Sequence, residues 1–73
     1  MMNYRFFITA VDERDGVTRF YNKQGSAHGN YQFCSKPFYQ YGYMHFDSCY
    51  ERYCKLSIEI PYMKFHIIKM DLS

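Results

Sequence analysis

Three cysteines and one histidine are the side chains best suited to chemistry, and they lie close together in the sequence: Cys34, His45, Cys49 and Cys54. Thiolate and imidazole groups are the usual ligands of a tetrahedral zinc site. A structural zinc site, however, normally takes two ligands from a Cys-x-x-Cys pair, and no such pair occurs here. Because an unpaired cysteine packs as a small apolar side chain, the sequence predicts buried thiols, with no metal and no cofactor.

Patterns typical of a catalytic centre are missing from the sequence. A Cys–His nucleophile needs a thiol of lowered pKa, and no Gly-rich turn or helix start is placed to lower one. Asp12, Glu13 and Asp15 cluster at a predicted turn, where acidic residues are expected for solvation. The glycines within residues 24–30 lack the Gly-Lys-Ser/Thr ending of a P-loop, so these residues are interpreted as a polar loop. We therefore expect a protein that is not an enzyme.

Aromatic residues dominate the composition. Nine tyrosines and seven phenylalanines make up 22% of the 73 residues, more rings than so small a core can enclose. Tyrosine tolerates a surface position because its hydroxyl can bond water or a partner, so the surplus favours a Tyr-lined binding face. The simpler alternative is that the rings only pack a strand-rich core.

The stretch from Phe38 to Phe46 is where such a face is predicted. Tyr39, Tyr41 and Tyr43 share one parity, so a strand here would display three tyrosines on one side. A following helix would add further aromatic side chains and one cation. The predicted partner-binding residues are Tyr39, Tyr41, Tyr43, Tyr50, Tyr53 and Arg52.

The charge balance argues against a polyanionic partner. Nine basic and seven acidic side chains leave a formal charge of +2, and no run of like charges occurs. Nucleic-acid binding through the aromatic stretch stays open as an alternative, because exposed bases stack on aromatic rings. It would require six cations to converge on one face as phosphate contacts: Arg5, Arg19, Lys36, Arg52, Lys55 and Lys64.

A β-hairpin is predicted at the start of the chain. Residues 4–11 are rich in β-formers, and Asp15-Gly16 favours a two-residue type I′ turn before a second strand at residues 17–21. That turn would place Asp12 opposite Arg19, Val11 opposite Phe20 and Ala10 opposite Tyr21. Because both faces of the first strand carry apolar side chains, this sheet must be covered on both sides or offer one side to a partner.

The remaining elements are a short strand at residues 31–34, a helix and a final strand at residues 63–72. Ser48 and Glu51 have the spacing of a capping box, which predicts a helix of about two to three turns that ends before Pro61. The sequence thus predicts a single α+β domain over residues 1–73, with a small antiparallel sheet of about four to five strands and one short helix. An all-β, barrel-like sheet is the alternative.

Cellular location and function follow from these patterns as expectations. The apolar stretch at residues 6–11 is too short for a signal peptide or a membrane span, and an odd number of cysteines fits a reducing compartment. We therefore expect a cytoplasmic protein that does not contact membranes.

The first hypothesis for the function is a protein-interaction module, an inhibitor or regulatory accessory that occludes a partner, as small phage or mobile-element proteins do. Nucleic-acid binding and a homo-oligomeric structural subunit are the alternatives.

Overall fold

The computed structural model describes residues 3–24 and 32–71. In them, four antiparallel strands form one open sheet of order β3-β2-β1-β4, and one α-helix packs on it. The predicted α+β class is confirmed, and the barrel-like alternative is wrong because the sheet does not close. The elements are β1 Tyr4–Asp12, β2 Thr18–Asn22, β3 Gln32–Cys34, a 3₁₀ helix Tyr39–Tyr41, α1 Phe46–Glu59 and β4 Met63–Asp71.

Strand β1 is the centre of the sheet. All nine of its residues pair with β4, from Tyr4 opposite Asp71 to Asp12 opposite Met63. Phe7 and Ile8, which point to opposite faces, are both almost completely buried. A strand that is apolar on both sides is stable only when both faces are covered, and β1 meets that requirement.

The hairpin between β1 and β2 differs from its predicted register. Val11 pairs with Thr18 instead of Phe20, and five residues, 13–17, connect the two strands instead of a two-residue turn. Only Gly16 takes a positive φ, 67°, whereas a type I′ turn would also need one at Asp15. Since the shift is two residues, each side chain stays on its predicted face of the sheet.

Acidic side chains explain the longer loop. The Asp12 carboxylate accepts hydrogen bonds from the Arg14 backbone N–H at 2.9 Å and from its guanidinium at 2.6 Å. These hydrogen bonds lower the pKa of Asp12 to about 2. Arg19, predicted to face Asp12, forms an ion pair with Asp15 at 2.9 Å instead. Local side-chain bonds thus favour a turn that strand propensity does not reveal.

Helix α1 is longer than predicted and begins earlier. It has 14 residues, about four turns, and its N-cap is His45. The predicted capping box is therefore wrong, because Ser48 lies within the first turn of the helix. The sequence predicts no exact end for the helix, only that Pro61 disfavours helix at Ile60, and the helix stops at Glu59. No helix among the described residues is both long and apolar enough to cross a membrane.

The main core lies between α1 and one face of the sheet. Leu56 and Cys49 are fully buried there, and Ile60 is nearly so. They belong to one apolar cluster with strand residues: Ile8, Ala10, Tyr21, Cys49, Leu56, Ile60 and Phe65. Ile58, in contrast, is 80% exposed. Leu56, Ile58 and Ile60 alternate with polar residues as in a strand, but Leu56 and Ile58 lie on different sides of the helix.

The opposite face of the sheet is covered by residues 38–43, and here the predicted strand is wrong. Tyr39–Tyr41 form a 3₁₀ helix, and Gly42 packs so closely that a Cβ there would lie 2.6 Å from Arg5 Cβ. Tyr43 then pairs with Phe6 through two backbone hydrogen bonds of 2.9 and 2.8 Å. The chain thereby passes from one face of the sheet to the other, just beyond the end of β2.

The two short predicted segments around residues 24–34 are only partly described. β3 confirms a strand at residues 32–34, and β4 confirms the final strand. Tyr31, Leu72 and the predicted loop after Gln24 lie outside the described residues.

Candidate functional site

The three tyrosines predicted to share a strand face do not share one. Tyr39 is 56% exposed, but its hydroxyl accepts a hydrogen bond from Arg5, whose guanidinium lies 4.5 Å from the ring centroid. Tyr41 is half-buried, and both burial and a hydrogen bond with the Cys34 thiol raise the pKa of its hydroxyl. Tyr43 is half-buried against the main core. Tyr39, Tyr41 and Tyr43 therefore help to cover the sheet.

A continuous run of rings, some exposed and some half-buried, lies instead along one flank of α1. Phe46, Tyr50 and Tyr53 recur at i, i+4 and i+7, and the ring centroids of successive pairs are 5.9 Å apart. Phe46 also contacts Phe6 at 5.6 Å, and Phe6 contacts Tyr4 at 5.5 Å. We call these five residues the aromatic strip.

The most exposed rings of the aromatic strip lie on the helix. Phe46 is 48% and Tyr50 is 50% exposed, whereas the other three are half-buried. The neighbouring Cys54 thiol, through a hydrogen bond and its charge, raises the pKa of Tyr50. The prediction that Tyr50, Tyr53 and Cys54 lie on one side of a helix agrees with these contacts. Phe46 was missed because the helix was predicted to begin two residues later, although its spacing to Tyr50 and Tyr53 was a usable signal.

The opposite flank of α1 forms a polar cavity of about 360 Å³, which we call the cationic cavity. Three cations, one hydroxyl, one phenol and one carboxylate line it: Lys23, Tyr43, Ser48, Glu51, Arg52 and Lys55. The ammonium of Lys23 donates to the Gly42 carbonyl at 2.6 Å and lies 4.6 Å from the Tyr43 ring centroid. Burial raises the pKa of Tyr43, while the charge of Arg52 and a hydrogen bond from it oppose the rise.

The cations predicted to contact phosphates are separated by the fold. Arg52 and Lys55 share the cationic cavity, but Arg5 is buried on the sheet face that lies away from α1. Arg19 is paired with Asp15, and Lys64 lies 3.9 Å from Glu13. The required convergence of all six on one face is therefore not met. Lys23, which the predictions omitted, joins the cavity only through the fold.

The three cysteines differ in how deeply they are buried. Cys49 is fully buried in the main core, and burial raises the pKa of its thiol to about 11. Cys34 and Cys54 are only half-buried, so the prediction of buried thiols is right for one of the three. Among the described residues, no three His, Cys, Asp or Glu side chains are grouped as a metal site would need.

Comparisons with known proteins add no relative. No protein family, curated protein or solved structure significantly matches this chain. The class of protein is therefore described by its fold and its surface features. It is a small α+β domain with the aromatic strip and the cationic cavity on opposite flanks of one helix.

Proposed function

We propose that this protein is a protein-binding module that uses the aromatic strip to anchor a partner protein, acting as an inhibitor or regulatory accessory by occlusion. The observation that carries the proposal is the continuity of the strip, in which five rings contact one another in sequence from β1 to α1. A few residues carry most of the binding energy of a typical protein interface, and aromatic side chains are enriched among the residues of interfaces. The occupant we expect is a protein surface with apolar side chains that pack against the exposed rings of Phe46 and Tyr50.

The position of the charges favours a protein over a nucleic acid at the aromatic strip. Binding of single strands needs cations along the same groove as the stacking rings. Here Lys69 lies 4.2 Å from the ring centroid of Tyr4, whereas Arg52 and Lys55 line the cavity on the other flank of α1. Stacked bases on this strip would therefore lack most of the phosphate contacts that give such complexes their affinity.

The cytoplasm is the compartment in which we expect the protein to act. Cys34, Cys49 and Cys54 are all free thiols, which is the usual state in a reducing compartment. A small phage or mobile-element factor that blocks a host protein would fit this size and location. Identification of a host protein as the partner would test this phage or mobile-element origin.

The test uses two double variants of the same residue types. Phe46→Ala with Tyr50→Ala removes the exposed rings of the aromatic strip, and Phe38→Ala with Tyr62→Ala removes rings of similar exposure elsewhere. Each form is used to capture proteins from the cells that encode it, with quantitative mass spectrometry. A captured protein is then purified and titrated calorimetrically against all three forms. We expect the strip variant to lose at least about 2 kcal/mol of binding free energy, and the control to lose little.

Three results would contradict the proposal. A partner that binds the strip variant as tightly as the natural chain would place the interface elsewhere. Retention of nucleic acid with a steep salt dependence that the strip variant abolishes would favour the nucleic-acid hypothesis. A dimer of the natural chain in light scattering, dissociated by the strip variant, would make a second copy the occupant and favour the structural subunit.

A further inference from the structure

We propose that the cationic cavity binds a phosphate group, on a free phosphate compound or on a nucleotide. This site lies on the flank of α1 opposite the aromatic strip and is independent of the proposed protein interface. Its volume of about 360 Å³ is at the lower end of the range of small-molecule pockets, ~300–1,000 Å³. The ligand that fits is therefore small and anionic.

Two different parts of the chain bring the cations together. Helix α1 contributes Ser48, Arg52 and Lys55, which recur at i, i+4 and i+7 and so face the same side. Lys23 comes from the residues directly after β2. Because its ammonium is held by the Gly42 carbonyl and the Tyr43 ring, Lys23 is positioned before any ligand arrives. Such preorganisation lowers the entropic cost of binding.

The charges of the cavity are only partly balanced within it. Three cations face one carboxylate, Glu51, so a net positive charge remains in this open cavity, most of whose lining residues are exposed. Tyr43 lies half-buried in one wall beside Arg52, whose positive charge opposes the rise in pKa that burial causes at the Tyr43 hydroxyl. An anion between the three cations would relieve their mutual repulsion. A phosphate suits this arrangement because its oxygens accept the planar fork of arginine, the ammonium of lysine and a serine hydroxyl together.

Glu51 is the group that competes with the ligand. It precedes Lys55 by four residues, the spacing and order in which a helical glutamate pairs favourably with a lysine. A bound phosphate would have to share Lys55 with this carboxylate and would be repelled by it. The Glu51 carboxylate therefore lowers the affinity of the site for phosphate, and a neutral residue at position 51 should raise that affinity.

The experiment is a calorimetric titration of the full chain with sodium pyrophosphate at low salt. Lys55→Gln should weaken binding about tenfold, because it removes one charge-assisted hydrogen bond. Glu51→Gln should tighten binding several-fold. Lys36→Gln removes an equal charge from an exposed position outside the cavity and should leave binding unchanged. Amide shifts in ¹H–¹⁵N spectra should concentrate at residues 48–55.

The outcomes separate the site from a general charge effect. Absence of saturable binding at millimolar pyrophosphate overturns the proposal, as does equal weakening by Lys36→Gln and Lys55→Gln. A repeat with adenosine diphosphate distinguishes the two sources of phosphate: equal affinity indicates a free phosphate compound, and tighter binding indicates a nucleotide. The Phe46→Ala, Tyr50→Ala double variant should bind pyrophosphate normally, so failure of the protein-binding proposal would leave this one standing.

Discussion

The two faces of the sheet are covered by different kinds of structure. On one face α1 packs apolar side chains onto Ile8, Ala10 and Phe65. On the other face, residues 38–43 pack against Arg5, Phe7 and neighbouring polar side chains. Buried Arg5, Thr9 and Asn22 all lie on this second face, which follows from their positions on β1 and β2.

This difference determines where surplus aromatic rings become available. The second face uses Tyr39 and Tyr41 as cover, since one bonds Arg5 and the other bonds Cys34. The helix face also encloses aromatic rings in its core, and Phe46 and Tyr50 lie exposed at its margin. Both faces therefore use rings in packing. They differ in that the exposed ring of Tyr39 is engaged by Arg5, whereas the exposed rings of Phe46 and Tyr50 contact other rings of the aromatic strip.

Leu56→Ala should produce the largest effect, on the helix face. Leu56 is fully buried, and removal of a buried leucine side chain typically costs about 2–5 kcal/mol of unfolding free energy. Ile58→Ala, two residues along the same helix at an 80% exposed site, should change stability by less than about 0.5 kcal/mol. Urea denaturation of both variants measures the difference. Similar values for the two would mean that α1 contributes little packing energy.

Gly42→Ala should have the next largest effect, on the second face. The added Cβ would lie 2.6 Å from Arg5 Cβ, an atom fixed by the central strand, so the segment must move away. Overpacking of this kind costs about 1–3 kcal/mol. Gln40→Ala, at an exposed position in the same segment, is the control. If Gly42→Ala is as stable as the natural chain in urea, residues 38–43 do not pack tightly on β1.

Tyr39→Phe should have a smaller effect on the same face. It keeps the ring beneath the Arg5 guanidinium and removes only the accepting hydroxyl, a loss of about 1 kcal/mol at this partly exposed site. Tyr62→Phe is the matched control, because Tyr62 is 57% exposed and its ring also lies beneath an arginine guanidinium. An unchanged urea midpoint for Tyr39→Phe would show that the hydroxyl contributes nothing measurable, and that the ring contact and the hydrogen bond to the Tyr4 carbonyl hold Arg5.

Thiol labelling compares the two faces without a change in sequence. Cys49, buried in the helix face with its pKa raised to about 11, should react with a thiol reagent only after unfolding. Cys34 and Cys54 are half-buried and should react in the native state. Mass spectrometry of the labelled peptides after a short exposure assigns each site. Rapid native labelling of Cys49 would mean that α1 opens readily from the sheet.

Local sequence patterns account for much of the fold. Dense β-formers predict β1 and β4, Pro61 disfavours helix at Ile60, and the parity of apolar residues predicts the face of each side chain in the hairpin. These features depend on backbone propensity and on residues close in sequence, which is why they can be predicted without the tertiary structure. The mutual contact of Tyr50 and Tyr53 belongs to the same group, because a helix brings such spacings together.

The features that the sequence did not predict depend on a choice between local partners or on contacts between distant residues. The hairpin register is of the first kind, because Asp12 could bond Arg14 or Arg19 and bonds Arg14. The path of residues 38–43 depends on their fit against Arg5 and Phe7, and an alternating pattern of tyrosines does not encode that fit.

Composition alone determines that this chain has more rings than a small core can enclose and too little net charge to mark a polyanionic partner. Only the tertiary structure decides which rings are exposed and which cations converge. The reason is physical: exposure and electrostatic convergence are properties of surfaces assembled from separate segments, as Phe6 and Phe46 or Lys23 and Lys55 demonstrate.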